Sequence, residues 1–430
     1  MRGLNRFVLL AAIAFLAPSA MAQSPVKKAE VKTGARIAIV GDSITEQKLY
    51  SRFIESYLTA CYPELNVRVF QFGWGGETAG GFLARMDNDL LPFKPDIVTL
   101  CYGMNDGGYA PFSKATGERF EKPLREIVKK AKAAGATVVV GSPGAVDQYF
   151  FDKQKSGGKS PKAEMYNGTL AKLRDITMAI AKDNESPFAN VHDTMTVAMV
   201  KAQETLGDKY YVCGADGFHP ASNGQMLMAL AFLRSLQLDG NLGSVHLDMG
   251  SDAKGAGGHK VLSETNGTIE IESTRFPFAF NGDDKDPNGT RSITAFAPFN
   301  EEFNRFTLLV SNAKSEKLSV TWGKETKTFT KAELQKGVNL AAAFANHPLS
   351  AAFQKIDAAV ADRQNFQTFM IKSAITQHRG ILAMTQGDPE IAKALETVRD
   401  RLWMNDAKRY DAVRATLKPV KHTIVIAKAE

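Results

Sequence analysis

Strand-like and helix-like segments alternate along the first half of the chain, and this alternation restricts the possible folds more than any other feature. Five short apolar runs predict strands, at Arg36–Val40, Val67–Phe72, Ile97–Cys101, Thr137–Val140 and Ala189–His192. Amphipathic patterns predict helices at Leu49–Cys61, Phe82–Leu91, Glu118–Ala134, Ala163–Lys182, Met195–Leu206 and Ala221–Leu236. This order predicts an α/β fold with three layers, αβα, in which helices cover both faces of a mostly parallel sheet.

The pattern changes after Leu238, where strands no longer alternate with long helices. Short alternating runs follow, at Val261–Glu264, Thr268–Glu272, Phe306–Val310 and Leu318–Trp322. Asn266 and Gly267 join the first two runs, and this pair is typical of a tight β-hairpin. We therefore expect a C-terminal region that begins with β-structure.

Helical patterns return near Lys331 and continue to Leu417, and His422–Lys428 alternates like a last strand that pairs with the earlier ones. We expect an α/β domain at 35–239, a β-rich accessory region at 240–330, and a helical region with a final strand at 331–430. A chain shortened to end near Leu238 is expected to keep the α/β domain intact.

The N-terminus has the pattern of an export signal. Two arginines precede the apolar run Phe7–Ala17, and Ala20-Met21-Ala22 is a small-residue cleavage site. We expect a signal peptide at 1–22, a linker at 23–34, and an exported protein that is periplasmic or secreted. No later stretch is long and apolar enough to predict a membrane span.

Charge and cysteine content argue against a nucleic-acid partner and against a disulfide-rich scaffold. The formal net charge is +7 in 430 residues, and the basic residues are interspersed with acidic ones, so no nucleic-acid-binding surface is expected. Only three cysteines occur, Cys61, Cys101 and Cys213, without paired spacing, so at most one disulfide can form. The fold must depend on its hydrophobic core.

Polar clusters follow the first three predicted strands, where loops of a parallel sheet converge. They are GDSIT (Gly41–Thr45), GWGGET (Gly73–Thr78) and GMND (Gly103–Asp106), and a fourth cluster, DGFHP (Asp216–Pro220), lies near the end of the domain. Taken singly, each is explained by a helix cap or a turn. Together they contain every part of an acyl-transfer site.

The parts of that site can be assigned by their chemistry. Ser43 is the candidate nucleophile, His219 the candidate base, and Asp216, three residues earlier, the acid that orients the imidazole. The Ser43 amide, a glycine amide from Gly76 and the side-chain amide of Asn105 are candidate donors to an oxyanion.

These motifs resemble those of the SGNH hydrolases, the GDSL esterase/lipase superfamily. GDS corresponds to the first family block with Ser43, GGET to the second with Gly76, GMND to the third with Asn105, and DGFHP to the fifth with Asp216 and His219. The resemblance covers residues 36–238, occurs in family order, and implies an SGNH, flavodoxin-like sheet. It also implies ester hydrolysis through an acyl-enzyme, without a cofactor.

The second block departs from the family pattern, because Gln71 stands where asparagine is common. The choice between Gly75 and Gly76 as the donor therefore stays open. Asp42, Trp74 and Tyr102 adjoin the catalytic motifs and are weaker candidates for binding substrate.

No P-loop, dinucleotide-binding loop or pair of histidines at zinc spacing occurs, so no cofactor and no metal are expected. We expect an exported esterase whose substrate is a small-molecule or glycan ester, with an O-acetyl group on a carbohydrate favoured. The alternatives are a glycan O-acetyltransferase, a lysophospholipase or thioesterase, and a binding protein with a vestigial site. Residues 240–430 are expected to shape substrate access or bind a polymer.

Overall fold

The computed structural model describes residues 27–152 and 159–429. The expected signal peptide, 1–22, lies outside the described residues, as does the start of the expected linker at 23–34. Among the described residues, no helix has both the length and the apolar character needed to cross a bilayer.

Five parallel strands form the first sheet, in the order β2–β1–β3–β4–β5. The strands are β1 (Arg36–Gly41), β2 (Arg68–Gln71), β3 (Ile97–Cys101), β4 (Thr137–Gly141) and β5 (Phe188–Ala189). The predicted parallel α/β sheet is thus confirmed. The prediction that the last strand continues to His192 is wrong, because the Asn190 side chain accepts a hydrogen bond from the Asp193 amide and starts a helix at Val191.

Seven helices accompany this sheet in the described part of the chain. They are α1 (Ser43–Glu46), α2 (Tyr50–Cys61), α3 (Ala79–Asp89), α4 (Lys114–Ala133), α5 (Pro161–Asp183), α6 (Val191–Leu206) and α7 (Ser222–Arg234). Alternate residues of β1 enter two separate hydrophobic cores: Ile37 and Ile39 pack on one side, Ala38 and Val40 on the other. Both faces of the sheet are therefore covered, which explains the continuous apolar run.

The C-terminal region contains two further sheets. Its strands are β6 (Asn241–Asp248), β7 (Ala253–Ala256), β8 (His259–Thr265), β9 (Thr268–Ser273), β10 (Arg305–Ser311), β11 (Lys317–Trp322), β12 (Glu325–Thr330), β13 (Val338–Asn339) and β14 (Val420–Lys428). One sheet is mixed, in the order β13–β10–β6–β7. The other is antiparallel, in the order β12–β11–β14–β9–β8.

Both sequence signals for this β-structure are confirmed. Asn266 and Gly267 have φ of 52° and 82°, as a tight hairpin between β8 and β9 requires. The final strand β14 lies between β9 and β11, so the end of the chain closes the antiparallel sheet.

The remaining helices are α8 (Phe299–Phe303), α9 (Lys331–Lys336), α10 (Leu340–Ala343), α11 (Ser350–Phe369), α12 (His378–Met384) and α13 (Pro389–Ala415). A π-helical turn, Met370–Ala374, directly continues α11. The helix α11 lies against the open edge of β2: Gln367 accepts a hydrogen bond from the Gln71 amide, and Arg363 donates to the Val69 carbonyl. Side chains of α11 thereby satisfy an edge that would otherwise be unpaired.

Candidate active site

Ser43, His219 and Asp216 form a continuous hydrogen-bonded series at the carboxyl edge of the first sheet. The Ser43 Oγ lies 2.9 Å from His219 Nε2, and His219 Nδ1 lies 2.7 Å from Asp216 Oδ2. A carboxylate can only accept, so Nδ1 carries the proton and Nε2 is left to accept from the Ser43 hydroxyl. The His219 side chain is 29% exposed, which leaves the series open to a substrate.

The turn from β1 into α1 places Ser43. Asp42 caps α1 by accepting a hydrogen bond from the Ile44 amide at 3.0 Å, and Ser43 is the first helical residue. A Cβ on Gly41 would lie 2.1 Å from the Thr45 hydroxyl, so the strand must end on glycine. The sequence interpretation that Ser43 starts a helix agrees with this geometry.

Asp42 is almost fully buried. Its side chain is only 3% exposed, and burial raises the pKa of its carboxyl to about 7, although the Ile44 amide lowers it. In the structure Asp42 fixes the start of α1, and its contact with substrate stays a prediction.

The loop that carries Asp216 and His219 is held by the Asp216 carboxylate. Its Oδ1 accepts from the Phe218 amide at 3.1 Å and from the His219 amide at 2.9 Å, while Oδ2 accepts from the imidazole. Burial raises the pKa of Asp216, but the His219 hydrogen bonds and the Phe218 amide together lower it below its usual value. Asp216 is thus the ionised partner of the ring. Gly214, at φ +78°, completes the turn, since a Cβ there would lie 1.9 Å from the His219 carbonyl oxygen.

The loop after β2 distinguishes Gly75 from Gly76. The Gly75 amide donates to Glu46 Oε2 at 2.5 Å and is therefore already used. Gly76 is exposed at φ +72°, and within the described residues its amide meets no protein acceptor. This geometry favours Gly76 over Gly75 as the free donor that sequence reasoning left open.

Asn105 lies beside the same loop. Its Nδ2 donates to the Glu77 carbonyl oxygen at 3.0 Å, which holds the side-chain amide next to Gly76. The neighbouring Asp106 accepts from the Gly103 and Ala79 amides, each at 3.0 Å, and so joins the loop after β3 to the start of α3. These contacts place the Asn105 side chain against the loop that carries Gly76, and the convergence of the three predicted donors stays a prediction.

A buried ion network supports this loop, and sequence reasoning did not identify it. Arg85, 2% exposed, donates to both carboxylate oxygens of Glu77, at 2.7 and 2.8 Å, to Asp89 at 3.0 Å, and to the Phe72 carbonyl. A charged residue inside an amphipathic helix gives no sign in sequence that it faces the interior. The network fixes Glu77, whose carbonyl positions Asn105.

Tyr102 belongs to the same interior. It is 1% exposed, its hydroxyl donates to Glu77 Oε2 at 2.7 Å, and its ring stacks on Phe82. In the structure Tyr102 therefore packs in the interior, and its contact with substrate stays a prediction. Trp74 is half-buried, with the Lys372 ammonium 4.6 Å and the Arg85 guanidinium 5.1 Å from its ring centroid.

With this geometry established, comparison with known proteins assigns the family. The model of the GDSL-like lipase/acylhydrolase family matches residues 39–227, a range that contains the whole Ser43–His219–Asp216 series. Residues 39–227 belong to the GDSL-like lipase/acylhydrolase family. The GDSL-like domain is accordingly an ester-bond hydrolase.

The chain is also similar to individual proteins and solved structures. The chain is 24% identical over 228 residues to an acetylxylan esterase of Geobacillus stearothermophilus, a match that covers 48% of this chain and 96% of that protein. A solved structure of an acetylxylan esterase from the same organism is 25% identical, with the same coverage and a TM-score of 0.39. A gut microbial diltiazem-metabolizing enzyme is 22% identical with a TM-score of 0.67, over 93% of this chain and 98% of that one. This last likeness shows that the fold is shared beyond the GDSL-like domain.

A pocket of about 450 Å³ adjoins the GDSL-like domain's histidine loop. Its lining residues are Tyr109, Phe151, Asp152, Lys162, Met165, Asp216 and Phe218. The Tyr109 ring is 41% exposed and stacks on Tyr166 with centroids 5.0 Å apart. Cavities of similar volume occur elsewhere, but this one borders Asp216, so we take it as the candidate substrate pocket.

In the part of the chain that the structure describes, neither the cysteines nor the metal-binding residue types form a second candidate active site. There, no cluster of three or more His, Cys, Asp or Glu side chains is arranged to hold a metal ion. Cys61, Cys101 and Cys213 are buried and unpaired. Burial raises the pKa of each thiol, which makes all three unreactive.

Proposed function

We propose that the GDSL-like domain is a serine esterase in which Ser43 is the nucleophile and His219 the general base. The observation that supports this most strongly is the hydrogen-bonded series from Ser43 Oγ through the imidazole to Asp216, at 2.9 and 2.7 Å. A hydroxyl, a base and an orienting acid in hydrogen-bond contact are the arrangement that activates a serine for acyl transfer.

In the first half of the reaction, Ser43 Oγ attacks the ester carbonyl carbon while its proton moves to His219 Nε2. Asp216 stabilises the imidazolium without taking its proton. The carbonyl oxygen becomes an oxyanion, and the Ser43 amide, the Gly76 amide and Asn105 Nδ2 donate to it. The imidazolium then protonates the leaving alcohol oxygen, the ester C–O bond breaks, and an acyl-Ser43 ester remains.

In the second half, a water molecule takes the place of the leaving alcohol. His219 Nε2 accepts the proton of the water as its oxygen attacks the acyl carbon, and the same three donors bind the second oxyanion. Return of the proton to Ser43 Oγ releases the carboxylic acid. No cofactor is needed at any step.

We propose an O-acetyl group on a carbohydrate as the substrate. The relative with 24% identity is an acetylxylan esterase, and the pocket beside Asp216 is lined by aromatic rings of the kind that pack against sugar rings. The export pattern at 1–22 supports a periplasmic or secreted enzyme that meets such glycans outside the cytoplasm.

A glycan O-acetyltransferase is the second candidate. Its chemistry uses the same acyl-enzyme, with a sugar hydroxyl in place of water, and the exposure of His219 leaves room for such an acceptor. The two outcomes differ only in which hydroxyl attacks the acyl-enzyme.

The test is a substrate panel run with the full-length enzyme and with Ser43→Ala. Acetyl, butyryl and octanoyl aryl esters compare acyl lengths, and acetylated xylo-oligosaccharides test the glycan. We expect acetate release from acetyl esters to dominate and to be abolished by Ser43→Ala. Preference for octanoyl esters would favour a lipase-type function, and transfer of labelled acetyl to an added oligosaccharide, in excess over free acetate, would favour the transferase.

A further inference from the structure

The C-terminal region reaches the loop that carries Gly76. Lys372 lies on the π-helical turn Met370–Ala374, directly after α11, and its ammonium donates to Glu46 Oε1 at 2.5 Å. The other oxygen of the same carboxylate, Oε2, accepts from the Gly75 amide at 2.5 Å. One carboxylate therefore joins a lysine of the C-terminal region to the residue that precedes the candidate oxyanion donor.

The loop is shaped to receive this carboxylate closely. A Cβ on Gly75 would lie 2.9 Å from Glu46 Oε2, and a Cβ on Gly73 would lie 2.3 Å from the Glu46 amide nitrogen. Side chains at either position would push the loop away from the end of α1. The two glycines thus allow the loop to rest on Glu46, which lies three residues after Ser43 on the same short helix.

The turn that carries Lys372 is itself firmly anchored. Met370 and Ile371 are 0% and 2% exposed and belong to the core shared with α3 and α4, and Gln377 donates to the Lys372 carbonyl at 3.0 Å. π-Helical turns are frequently found at functional sites. The Lys372 ammonium also lies 4.6 Å from the Trp74 ring centroid, so it contacts the loop directly at Trp74 as well as through Glu46.

The charge on Glu46 explains why a lysine is needed. A carboxylate bonded to the loop that stabilises an oxyanion opposes the developing negative charge. Pairing with Lys372 offsets this repulsion and restrains the carboxylate where it accepts from Gly75. Both effects act on the transition state more than on bound substrate.

We propose that Lys372 and Glu46 are positioning residues for the oxyanion loop, so that the C-terminal region contributes to the catalytic step and not only to substrate access. The proposal rests on the proposed function, in which the Gly76 amide binds the oxyanion. Neither residue touches the reacting atoms. Their effect passes through the Gly75 amide.

A purely structural ion pair would behave differently. The Lys372 and Glu46 side chains are 27% and 24% exposed, and a partly exposed pair of this kind contributes little to stability. Its loss should leave the melting temperature nearly unchanged. A selective fall in kcat is therefore the readout that separates a positioning role from a structural one.

The test compares Lys372→Met, Lys372→Arg, Glu46→Gln and Glu46→Ala in the full chain, with 4-nitrophenyl acetate as substrate. Lys355→Met is the matched control, because Lys355 is an exposed lysine of α11 with no hydrogen bond to the site. We expect Lys372→Met to lower kcat about 10-fold with KM changed less than about twofold, Lys372→Arg to recover most of the activity, and Lys355→Met to match the unaltered enzyme. Glu46→Gln keeps an acceptor for Gly75 and should lose less activity than Glu46→Ala.

Ser43→Ala, measured beside these variants, separates the two hypotheses. An inactive Ser43→Ala together with a normal kcat in Lys372→Met overturns the positioning role and leaves the proposed function standing. Activity in Ser43→Ala overturns both. If Lys372→Met lowers kcat only in proportion to the amount of folded protein, the pair is structural. If the change lies in KM alone, the pair binds substrate. Either result contradicts the proposal.

Discussion

Arg363 and Glu55 lie 308 residues apart in sequence and form a buried ion pair, with Nη1 2.6 Å from Oε1. Arg363 also binds Asp406 through two hydrogen bonds, at 3.0 and 2.7 Å. Both Arg363 and Glu55 are at most 1% exposed. The C-terminal helices therefore supply the partner of a charge buried inside the GDSL-like domain.

Replacing Arg363 by methionine should destabilise the whole protein. Two carboxylates would remain buried without their cation, at a cost of about 3–5 kcal/mol. Arg409→Met is the control, because Arg409 pairs with Asp362 at the surface, where the loss should be about 0–1 kcal/mol. Urea unfolding measures both. Equal losses in the two variants would contradict the account of α11 as an integral part of the fold.

Asn105→Ala should lower kcat by about 10²–10³ and change KM little, because the side-chain amide acts on the oxyanion and not on the ground state. In the unaltered enzyme the Glu77 carbonyl accepts from Asn105 Nδ2, and the smaller alanine side chain makes no new clash with it. Steady-state kinetics on 4-nitrophenyl acetate measure the effect. A loss confined to KM would show that Asn105 positions substrate instead.

His219→Ala should reduce activity by several orders of magnitude, and Asp216→Ala should cost less, since the orienting acid contributes least in comparable units. Rates of the two variants at one pH check this order. A larger loss for Asp216→Ala than for His219→Ala would contradict the assigned roles.

Three buried histidines in the C-terminal region should make stability depend on pH. Burial lowers the pKa of His259 and His347 to about 4 and that of His422 to about 3. An unfolded histidine has a pKa of about 6.5, so between about pH 6.5 and 4 the unfolded state binds protons that the folded state does not. The free energy of unfolding should therefore be fully retained above about pH 6.5 and fall as the pH drops towards 4.

His347→Phe tests this pH dependence. The imidazole stacks on Trp322 at 4.8 Å and its Nδ1 has no hydrogen-bond partner in the described residues, so phenylalanine can keep the stack without the proton. Chemical unfolding at pH 7, 6 and 5 should show a shallower slope for His347→Phe than for the unaltered protein. Identical slopes in the two proteins would contradict the assignment.

The sequence predicted the parallel sheet and the convergence of the motifs because both depend on local patterns and on the rule that carboxyl ends of strands share one edge. Tyr102 could not be placed in this way, since an aromatic residue next to a catalytic loop has the same local pattern whether it faces substrate or the core. The choice of Gly76 over Gly75 depended on Glu46, whose carboxylate reaches a loop 29 residues away.

The contribution of α11 could not be read from local patterns either. Its contacts with β2 join residues nearly 300 positions apart. Gln367 is buried against that edge strand, and Gln364 is buried against α2. A chain shortened to end near Leu238 would lose these partners and expose the edge of β2 and the Glu55 carboxylate, which α11 contacts in the full chain. The expectation that the shortened domain stays intact remains a prediction, which circular dichroism of the shortened chain tests.

The nucleophilic role of Ser43 is tested most directly by covalent labelling. The full-length enzyme is treated with a fluorophosphonate, and the modified peptide is identified by mass spectrometry while esterase activity is followed. We expect one adduct, on Ser43, formed in parallel with the loss of activity, and we expect a folded Ser43→Ala protein to be neither labelled nor active. An adduct on another residue, or substantial esterase activity in folded Ser43→Ala, would contradict the mechanism.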